Sequence, residues 1–200
     1  MISDSSVRPA SQRTGILGGS FNPAHDGHVH IAQLALERLA LDQVWWLVSP
    51  QNPLKPVVGM AAFEERFASA KGAASVDPRI VVSDAEFHLG THYTAETLPR
   101  IVAEHPNTRF VWIMGADNLS QMECWENWSS IFHTVPIAVF ARPPYDSRVL
   151  ACTVAMRFAD HRHDESRGEA LAEMEPPAWI YFDTPLNPKS ATQIRSRRIL

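Results

Sequence analysis

The sequence predicts an α/β protein with a single domain, built on a doubly wound parallel β-sheet. Short runs of apolar, β-branched and aromatic residues alternate along the chain with longer stretches of helical periodicity. This alternation is typical of a parallel sheet covered by helices on both faces. A chain of 200 residues, 45% of them hydrophobic, can bury one substantial core. Together these observations favour one folded unit over separate domains.

Six strands are predicted from the short apolar runs. Strands of this kind are buried between two helix layers, so they are apolar on both faces rather than alternating in polarity. The predicted strands are Gly15–Leu17, Val44–Val48, Ile80–Val82, Phe110–Met114, Ile137–Phe140 and Trp179–Phe182.

Two helices are predicted in the first third of the chain. The first follows the first strand and carries a wide apolar stripe from Ile31 to Leu39, so it should be largely buried. The second, residues 61–74, places Phe63 and Phe67 one turn apart on a single face.

Three more helices are predicted further along. One covers residues 94–104 and contains Pro99, which must lie in the first turn or kink the helix. Another runs from about 118 to 132, and the last begins at Ser190 and continues to the end of the chain.

Two segments are expected to lie outside this core. Residues 1–13 form a polar N-terminal tail, and the domain covers 14–200. Residues 146–177 are rich in charge and poor in large apolar side chains after Phe158, which indicates a solvated helix or loop excursion. His161 and His163 within it lack a further ligand set, so a metal site there is not expected.

Charge and composition exclude several classes of protein. The formal net charge of −4 argues against a nucleic-acid-binding protein, whose surface is basic. Neither a membrane-spanning run nor a signal-peptide core is found, which favours a cytoplasmic protein without membrane contact. Cys124 and Cys152 lack metal-ligand spacing and are expected to be unpaired thiols. The oligomeric state is left open, and a homo-oligomer is one of the options.

The most informative motif joins the first predicted strand to the first helix. From Gly18 to His28 it reads Gly-Gly-Ser-Phe-Asn-Pro-Ala-His-Asp-Gly-His. The paired glycines would let a polyphosphate approach the backbone, and the N–H groups and dipole of the helix start attract negative charge. The motif therefore predicts a phosphate-binding site at a strand-to-helix junction.

Two histidines give this motif its chemistry. His25 and His28 are three residues apart, so they share one face of a first helical turn, with Gly27 between them leaving room for a ligand. Two imidazole N–H donors would then point at a reacting phosphoryl group. Taken singly, these features are equally typical of an ordinary loop with surface histidines, and only their order at one junction favours the phosphate site.

This motif resembles the signature of the HxGH nucleotidyltransferases, and the chain as a whole resembles the bacterial nicotinate-nucleotide adenylyltransferases. Further blocks occur in the family's order and extend the similarity from Gly15 to Arg195. They are Ser49–Lys55, Tyr93–Leu98, Ile113–Leu119, Arg142-Pro143 and Ser190–Arg195.

The resemblance implies a Rossmann-like fold and an enzyme of NAD biosynthesis. Such an enzyme transfers the adenylyl group of ATP to nicotinate mononucleotide and releases deamido-NAD and pyrophosphate, with Mg²⁺ arriving on ATP. The implied catalytic residues are His25, His28, Lys55 and Arg195. The implied ATP-binding residues are Gly18, Gly19, Ser20, Phe21, His25, His28, Asp117, Arg142, Ser190, Thr192 and Arg195. The implied residues around the acceptor are Asn52, Tyr93, Thr94, Asp117 and Trp125, and no resident metal ligand is implied.

Three departures from the family pattern and several other functions stay open at this point. Asn22, Glu126 and Lys189 stand where the family more often has an aspartate, an aromatic residue and an apolar residue. The nicotinamide mononucleotide is an alternative acceptor, and a nucleotide sensor without turnover is an alternative function. A phosphopantetheine acceptor is disfavoured by His25, and a fragment of a class I aminoacyl-tRNA synthetase is disfavoured by the acidic net charge.

Overall fold

The computed structural model describes residues 11–51, 58–142 and 145–184. In these residues one sheet of seven strands has the order β3-β2-β1-β4-β5-β7-β6, and every neighbouring pair is parallel. The predicted parallel α/β fold is thereby confirmed. The strands are β1 (Gln12–Gly19), β2 (Gln43–Val48), β3 (Ile80–Ser83), β4 (Thr108–Gly115), β5 (Ile137–Phe140), β6 (Arg162–His163) and β7 (Trp179–Phe182).

Helices cover both faces of the sheet. They are α1 (Asp26–Arg38), α2 (Phe63–Ala74), α3 (Ala85–Leu89), α4 (Thr94–Glu104), α5 (Ala116–Gln121), α6 (Trp128–Thr134) and α7 (Thr153–Arg157). Shorter 3₁₀ segments are Met122–Cys124, Ser147–Ala151, Ala159–His161 and Glu165–Glu173.

Each face of the sheet has its own apolar core. On one face, α1 and α2 pack over side chains such as Trp46 and Ile113. On the other face, α4, α5, α6 and α7 pack over Trp112 and Trp179. The strands between these layers are buried on both sides, which explains why they are recognisable in the sequence as short uninterrupted apolar runs.

All six predicted strands are present, and Ile137–Phe140 and Trp179–Phe182 have the predicted limits. β1 is longer than predicted and begins at Gln12, inside the segment expected to be a tail. The seventh strand, Arg162–His163, was not predicted, because two polar residues have no apolar pattern.

The prediction of one helix over 118–132 is wrong. The chain forms α5 and a 3₁₀ turn, then leaves helical geometry at Trp125 (φ −84°, ψ 143°) before α6 begins. Asn127 precedes α6 with φ 46°, a left-handed conformation that asparagine tolerates better than most residues. The interruption leaves Trp125 on an extended stretch between the two helices.

The other helices differ from prediction in smaller ways. α2 begins at Phe63 rather than 61, and α3, which has five residues, was not predicted. α4 has the predicted limits, but Pro99 lies inside it rather than in its first turn. The helix predicted from Ser190 lies outside the described residues.

The segment 146–177 differs from the expected solvated excursion in its apolar residues. Val154, Phe158 and Leu171 are buried, and β6 extends the sheet beside β7. The Phe158 ring stacks on Phe132 with ring centroids 4.0 Å apart. The backbone carbonyl of Phe158 accepts a 2.7 Å hydrogen bond from the indole N–H of Trp179. The segment thus contributes to the core of the domain.

Two negative findings apply to the described part of the chain. No helix there has both the length and the apolar character needed to span a membrane. Cys124 and Cys152 are free thiols.

We expect Phe158→Ala to lower the free energy of unfolding by about 3–5 kcal/mol, because it removes a buried, stacked ring and leaves a cavity. Met156→Ala is the matched control, since Met156 is 63% exposed in the same segment. Urea unfolding of both variants checks this. Equal, small losses of stability would show that the segment is peripheral to the core.

Candidate active site

The candidate site lies at the carboxyl ends of the strands, where the strand order reverses. β1 and β4 are neighbours, and the chain proceeds from β1 outward to β2 and β3 on one side and from β4 outward to β5 and β7 on the other. In open parallel sheets, ligands bind in the crevice that such a reversal creates. The connections after β1, β2, β3 and β4 all reach this crevice.

A cavity of about 350 Å³ occupies this crevice. Its volume falls within the range of small-molecule sites. Residues from both sides of the reversal line it: Gly18, Gly19, Leu47, Ser49, Glu86, His92, Tyr93, Thr94, Trp112, Asn118, Gln121, Cys124, Trp125 and Glu126.

The two histidines of the motif form a capping box at the start of α1. His25 is the N-cap, and its Nδ1 accepts a hydrogen bond from the backbone N–H of Gly27 at 3.1 Å. The Nδ1 of His28 accepts from the backbone N–H of His25 at 3.2 Å. The two rings lie side by side, with centroids 3.9 Å apart.

This capping arrangement determines the tautomer of both rings. A ring nitrogen that accepts a hydrogen bond carries no proton, so each neutral imidazole must carry its proton on Nε2. Both rings therefore carry the proton on Nε2 and use Nδ1 for the helix; His25 is 5% exposed, and its Nε2 is buried. The result is a pair of oriented donors at the positive end of a helix of 13 residues.

Aromatic packing holds the His28 ring in place. Phe21 and Trp46 stack with centroids 5.1 Å apart, and the His28 ring lies 4.7 Å from Phe21 and 5.9 Å from Trp46. Phe21 is 2% exposed and has a left-handed backbone, φ 46°. Its side chain therefore packs in the core, and only its backbone is available for the nucleotide contact implied by the resemblance.

Gly18 and Gly19 line the cavity, but for Gly18 the structure gives an additional reason for glycine. A Cβ on Gly18 would lie 2.4 Å from the ring of Trp112, whereas one on Gly19 would make an ordinary 3.4 Å contact with Phe21. Gly18 thus permits Trp112 of β4 to pack against β1. The neighbouring Ser20 is 4% exposed.

The sequence analysis missed Arg66 of α2, a buried residue that joins several segments around the site. Its guanidinium donates to the carbonyls of Ser20 at 2.8 Å, Ser49 at 2.7 Å and Pro50 at 2.6 Å, and its Nε donates to the carbonyl of Ala61 at 3.0 Å. Arg66 is 2% exposed, and burial lowers the pKa of its guanidinium. In the sequence, this role was indicated only by the position of Arg66, a charged residue between Phe63 and Ala70 on the buried face of a helix.

Asn22 adds a second link between the loop that joins β1 to α1 and the start of α2. Its Nδ2 donates to the carbonyl of Gly59 at 3.0 Å, and its Oδ1 accepts from the backbone N–H of Ala61 at 3.3 Å. Aspartate could only accept here. The departure from the family pattern at this position therefore has a local structural reason.

The residues implied for the acceptor meet on one wall of the cavity. Tyr93 and Thr94 lie at the N-terminus of α4, Trp125 lies between α5 and α6, and all three line the cavity. Glu126, the second departure, also lines this wall. The fold thus brings together residues that are far apart in the sequence.

Asp117 and Arg142 form an ion pair at the edge of the same crevice. Arg142 Nη1 donates to Asp117 Oδ2 at 3.0 Å, and each side chain is about one quarter exposed. Asp117 Oδ1 is buried and has no hydrogen-bond partner among the described residues. A Cβ on Gly115 would lie 2.4 Å from this oxygen, so glycine there leaves room for the present position of the Asp117 side chain.

Several predicted site residues lie outside the described residues. They are Asn52, Lys55, Ser190, Thr192 and Arg195, together with the third departure, Lys189.

A doubly wound parallel sheet whose first strand-to-helix connection carries a histidine capping box is the arrangement expected for the nucleotidyltransferase class of fold. Consistent with this, the model of the cytidylyltransferase-like family matches residues 16–197. Among solved structures, the chain superposes on Plasmodium falciparum nicotinic acid mononucleotide adenylyltransferase complexed with NaAD. The TM-score is 0.67 at 16% identity, covering 92% of this chain and 83% of that one. This similarity supports the fold.

Closer relatives are bacterial. A probable nicotinate-nucleotide adenylyltransferase of Parvibaculum lavamentivorans is 49% identical over 92% of both chains. One of Agrobacterium fabrum is 44% identical over 91% of this chain and 97% of its own length. The chain belongs to the bacterial nicotinate-nucleotide adenylyltransferase family.

We expect Arg66→Met to lower the free energy of unfolding by about 3 kcal/mol or more, because buried carbonyl groups lose their donor. Arg66→Lys should restore only part of this stability, since an ammonium on a flexible stem cannot reproduce the geometry of the guanidinium. Chemical denaturation measures both. Arg148→Met, which removes an exposed surface ion pair with Asp146, is the control and should change stability little. Wild-type stability of Arg66→Lys would argue against a requirement for that geometry.

Proposed function

We propose that the protein transfers the adenylyl group of ATP to nicotinate mononucleotide, forming deamido-NAD and pyrophosphate in NAD biosynthesis. The main structural support is the histidine capping box, which presents two Nε2–H donors at the helix start beside a cavity of suitable size. The family membership of the chain supports the choice of reaction and of both substrates.

The reaction is a direct in-line displacement. A phosphate oxygen of the mononucleotide attacks the α-phosphorus of ATP, a new P–O bond forms, and the bond to the β-phosphate oxygen breaks to release pyrophosphate. The attacking phosphate is already an anion, so no general base is needed. Catalysis then consists of positioning the two substrates and stabilising the charge on the transferring and leaving oxygens.

His25 and His28 supply this stabilisation in the proposed mechanism. Their Nε2–H groups donate to oxygens of the α- and β-phosphates, and the N-terminal dipole of α1 adds to the positive potential. Because Nδ1 of each ring is engaged in capping, the donors are oriented before ATP binds. Preorganised donors are effective because they need no rearrangement as charge develops.

The adenine nucleotide also contacts other parts of the crevice in this proposal. The backbone from Gly18 to Phe21 approaches it, and Asp117 can accept a hydrogen bond from a ribose hydroxyl at Oδ1 while Arg142 holds Oδ2. Lys55, Ser190, Thr192 and Arg195 complete the phosphate site, on the evidence of the family motifs that contain them.

A divalent cation, which we propose to be Mg²⁺, arrives bound to the ATP phosphates. The described residues contain no group of three histidine, cysteine, aspartate or glutamate side chains arranged to hold a metal. The oxygen ligands that Mg²⁺ prefers are then supplied by the triphosphate and by water. When bound, the cation neutralises part of the charge on the leaving pyrophosphate.

The mononucleotide occupies the wall formed by Tyr93, Thr94 and Trp125, with Asn52 as a further contact implied by the resemblance. The indole of Trp125 stacks on the pyridine ring. Thr94 lies in the first turn of α4, where backbone N–H groups are available to a carboxylate.

We expect His28→Asn to lower kcat by about 10²-fold or more with little loss of stability. Asparagine Oδ1 can replace Nδ1 as the acceptor of the cap, but no donor remains at the position of Nε2. His28→Ala is the comparison variant and should lose stability of about 1 kcal/mol as well. Steady-state pyrophosphate release and thermal unfolding separate the two effects. Unchanged turnover in either folded variant would exclude His28 from the catalytic role.

We expect a preference of roughly 10²-fold or more in kcat/KM for nicotinate over nicotinamide mononucleotide, because fixed donors match a carboxylate better than an amide NH₂.

Trp125→Ala should raise KM for both acceptors and leave KM for ATP nearly unchanged, since stacking depends on the pyridine ring rather than on its substituent. Pyrophosphate release with each acceptor at fixed ATP and Mg²⁺ measures both. A preference for the amide would overturn the assignment of the acceptor, and ATP binding without turnover would indicate a sensor.

A further inference from the structure

A buried carboxyl group lies in the cavity wall and has no role in the mechanism above. Glu86 of α3 is 5% exposed and lines the cavity beside Ser49, Tyr93 and Thr94. Its side chain hydrogen-bonds with Ser49 at the end of β2 and with Thr97 of α4. Glu86 therefore connects two of the elements that form the site.

The contacts of Thr97 limit what Glu86 can donate or accept. Thr97 Oγ1 lies 3.0 Å from the carbonyl oxygen of Tyr93, 2.7 Å from Thr91 Oγ1 and 3.3 Å from Glu86 Oε1. A hydroxyl has one proton and can accept two hydrogen bonds. Only one of the three contacts can use the proton of Thr97.

Glu86 and Thr91 thus both meet one hydroxyl in the first turn of α4. Thr97 thereby links Glu86 of α3 and Thr91 of the preceding loop to the carbonyl of Tyr93, the residue before α4.

The surroundings of Glu86 disfavour its ionised form. Burial raises its pKa, and the hydrogen bonds from Ser49 and Thr97 oppose this only in part. Among the ionisable groups on the surrounding elements, namely Arg66, His92, Glu96 and Arg100, only His92 acts on this pKa, and it acts least of the causes. No ion pair to Glu86 is found within the described ranges.

We propose that Glu86 is a positioning residue of the acceptor site: through Thr97 and Thr91 it holds the N-terminus of α4 so that Tyr93 and Thr94 face the mononucleotide. This rests on the proposed function. An ionised carboxylate in this wall would repel an anionic acceptor, so binding of the acceptor and protonation of Glu86 are coupled.

The kinetic test compares Glu86→Gln, Glu86→Ala and the control Glu96→Gln, which changes an exposed glutamate of the adjacent helix. The amide of glutamine can still donate to Thr97, so we expect Glu86→Gln to keep KM for nicotinate mononucleotide within about threefold of wild type. Glu86→Ala should raise this KM about tenfold or more and change KM for ATP and kcat much less. Glu96→Gln should behave as wild type.

A matched pair at Thr97 keeps the test valid if Glu86→Ala does not fold. Thr97→Ser keeps the hydroxyl and should preserve KM for the acceptor, whereas Thr97→Val removes it and should raise this KM as Glu86→Ala does. Unchanged acceptor KM in Thr97→Val, or equal effects on KM for ATP and the acceptor, would overturn the positioning role.

The pH dependence of the wild type provides a readout that a purely structural role would not give. Burial raises the pKa of Glu86, so the folded state favours the protonated side chain. The folded state is therefore fully stable with respect to this group below pH 4.5, the ordinary glutamate pKa, and loses stability as pH rises through the raised pKa. Hence KM for the acceptor should rise with pH in the wild type, and Glu86→Gln should remove that dependence. Identical pH profiles of the two proteins would overturn this coupling.

Infrared difference spectra of wild type and Glu86→Gln, without substrates, test the protonation state separately from activity. We expect a carbonyl band of a protonated carboxyl group that persists above pH 4.5 in the wild type and is absent from the variant. A band that is lost by pH 4.5 would overturn the raised pKa whatever the enzyme does. Conversely, a wild type that shows the band but releases no pyrophosphate with any pyridine mononucleotide would refute the proposed function and leave the state of Glu86 established.

Discussion

The geometry of the candidate site depends on one buried cation. Arg66 reaches from α2 to backbone carbonyls of the loop between β1 and α1 and of the segment after β2. Without Arg66, these carbonyls would be buried without a donor. The guanidinium is suited to this because its fixed fork of donors can serve several acceptors at once. The loop that carries Ser20 is thereby tied to its neighbour, so the start of α1 is held at a defined place beside the sheet.

That defined place matters because the same atoms that begin α1 also orient the proposed catalytic donors. His25 and His28 cap the helix through Nδ1, which directs the proton of each ring to Nε2. Helix formation and donor orientation are consequently one event. Phe21 and Trp46 restrict the His28 ring further, so little ordering remains to be done when a phosphate binds.

The electrostatics of the crevice are local and do not follow from the net charge. A chain of net charge −4 can still hold the proposed anion site, because the N-terminus of α1 and its two capping imidazoles supply donors locally. The negative charge of the carboxyl groups in the crevice is reduced by a different local effect at each group. Asp117 is paired with Arg142, and burial raises the pKa of Glu86. An acidic protein can therefore bind two anionic substrates in one crevice.

By itself the sequence determined the strands, the parallel α/β class and the phosphate motif, because these depend on local patterns. A strand buried on both faces, such as Ile137–Phe140, must be apolar throughout, and the glycines, the turn and the histidines from Gly18 to His28 are adjacent in the chain. The tertiary structure decided the rest. Arg66 acts on a carbonyl 46 residues away, and β6 is a strand only because β7 lies beside it. The burial of Glu86 likewise depends on residues from β2 and α4, since desolvation and hydrogen-bond partners arise only when distant segments meet.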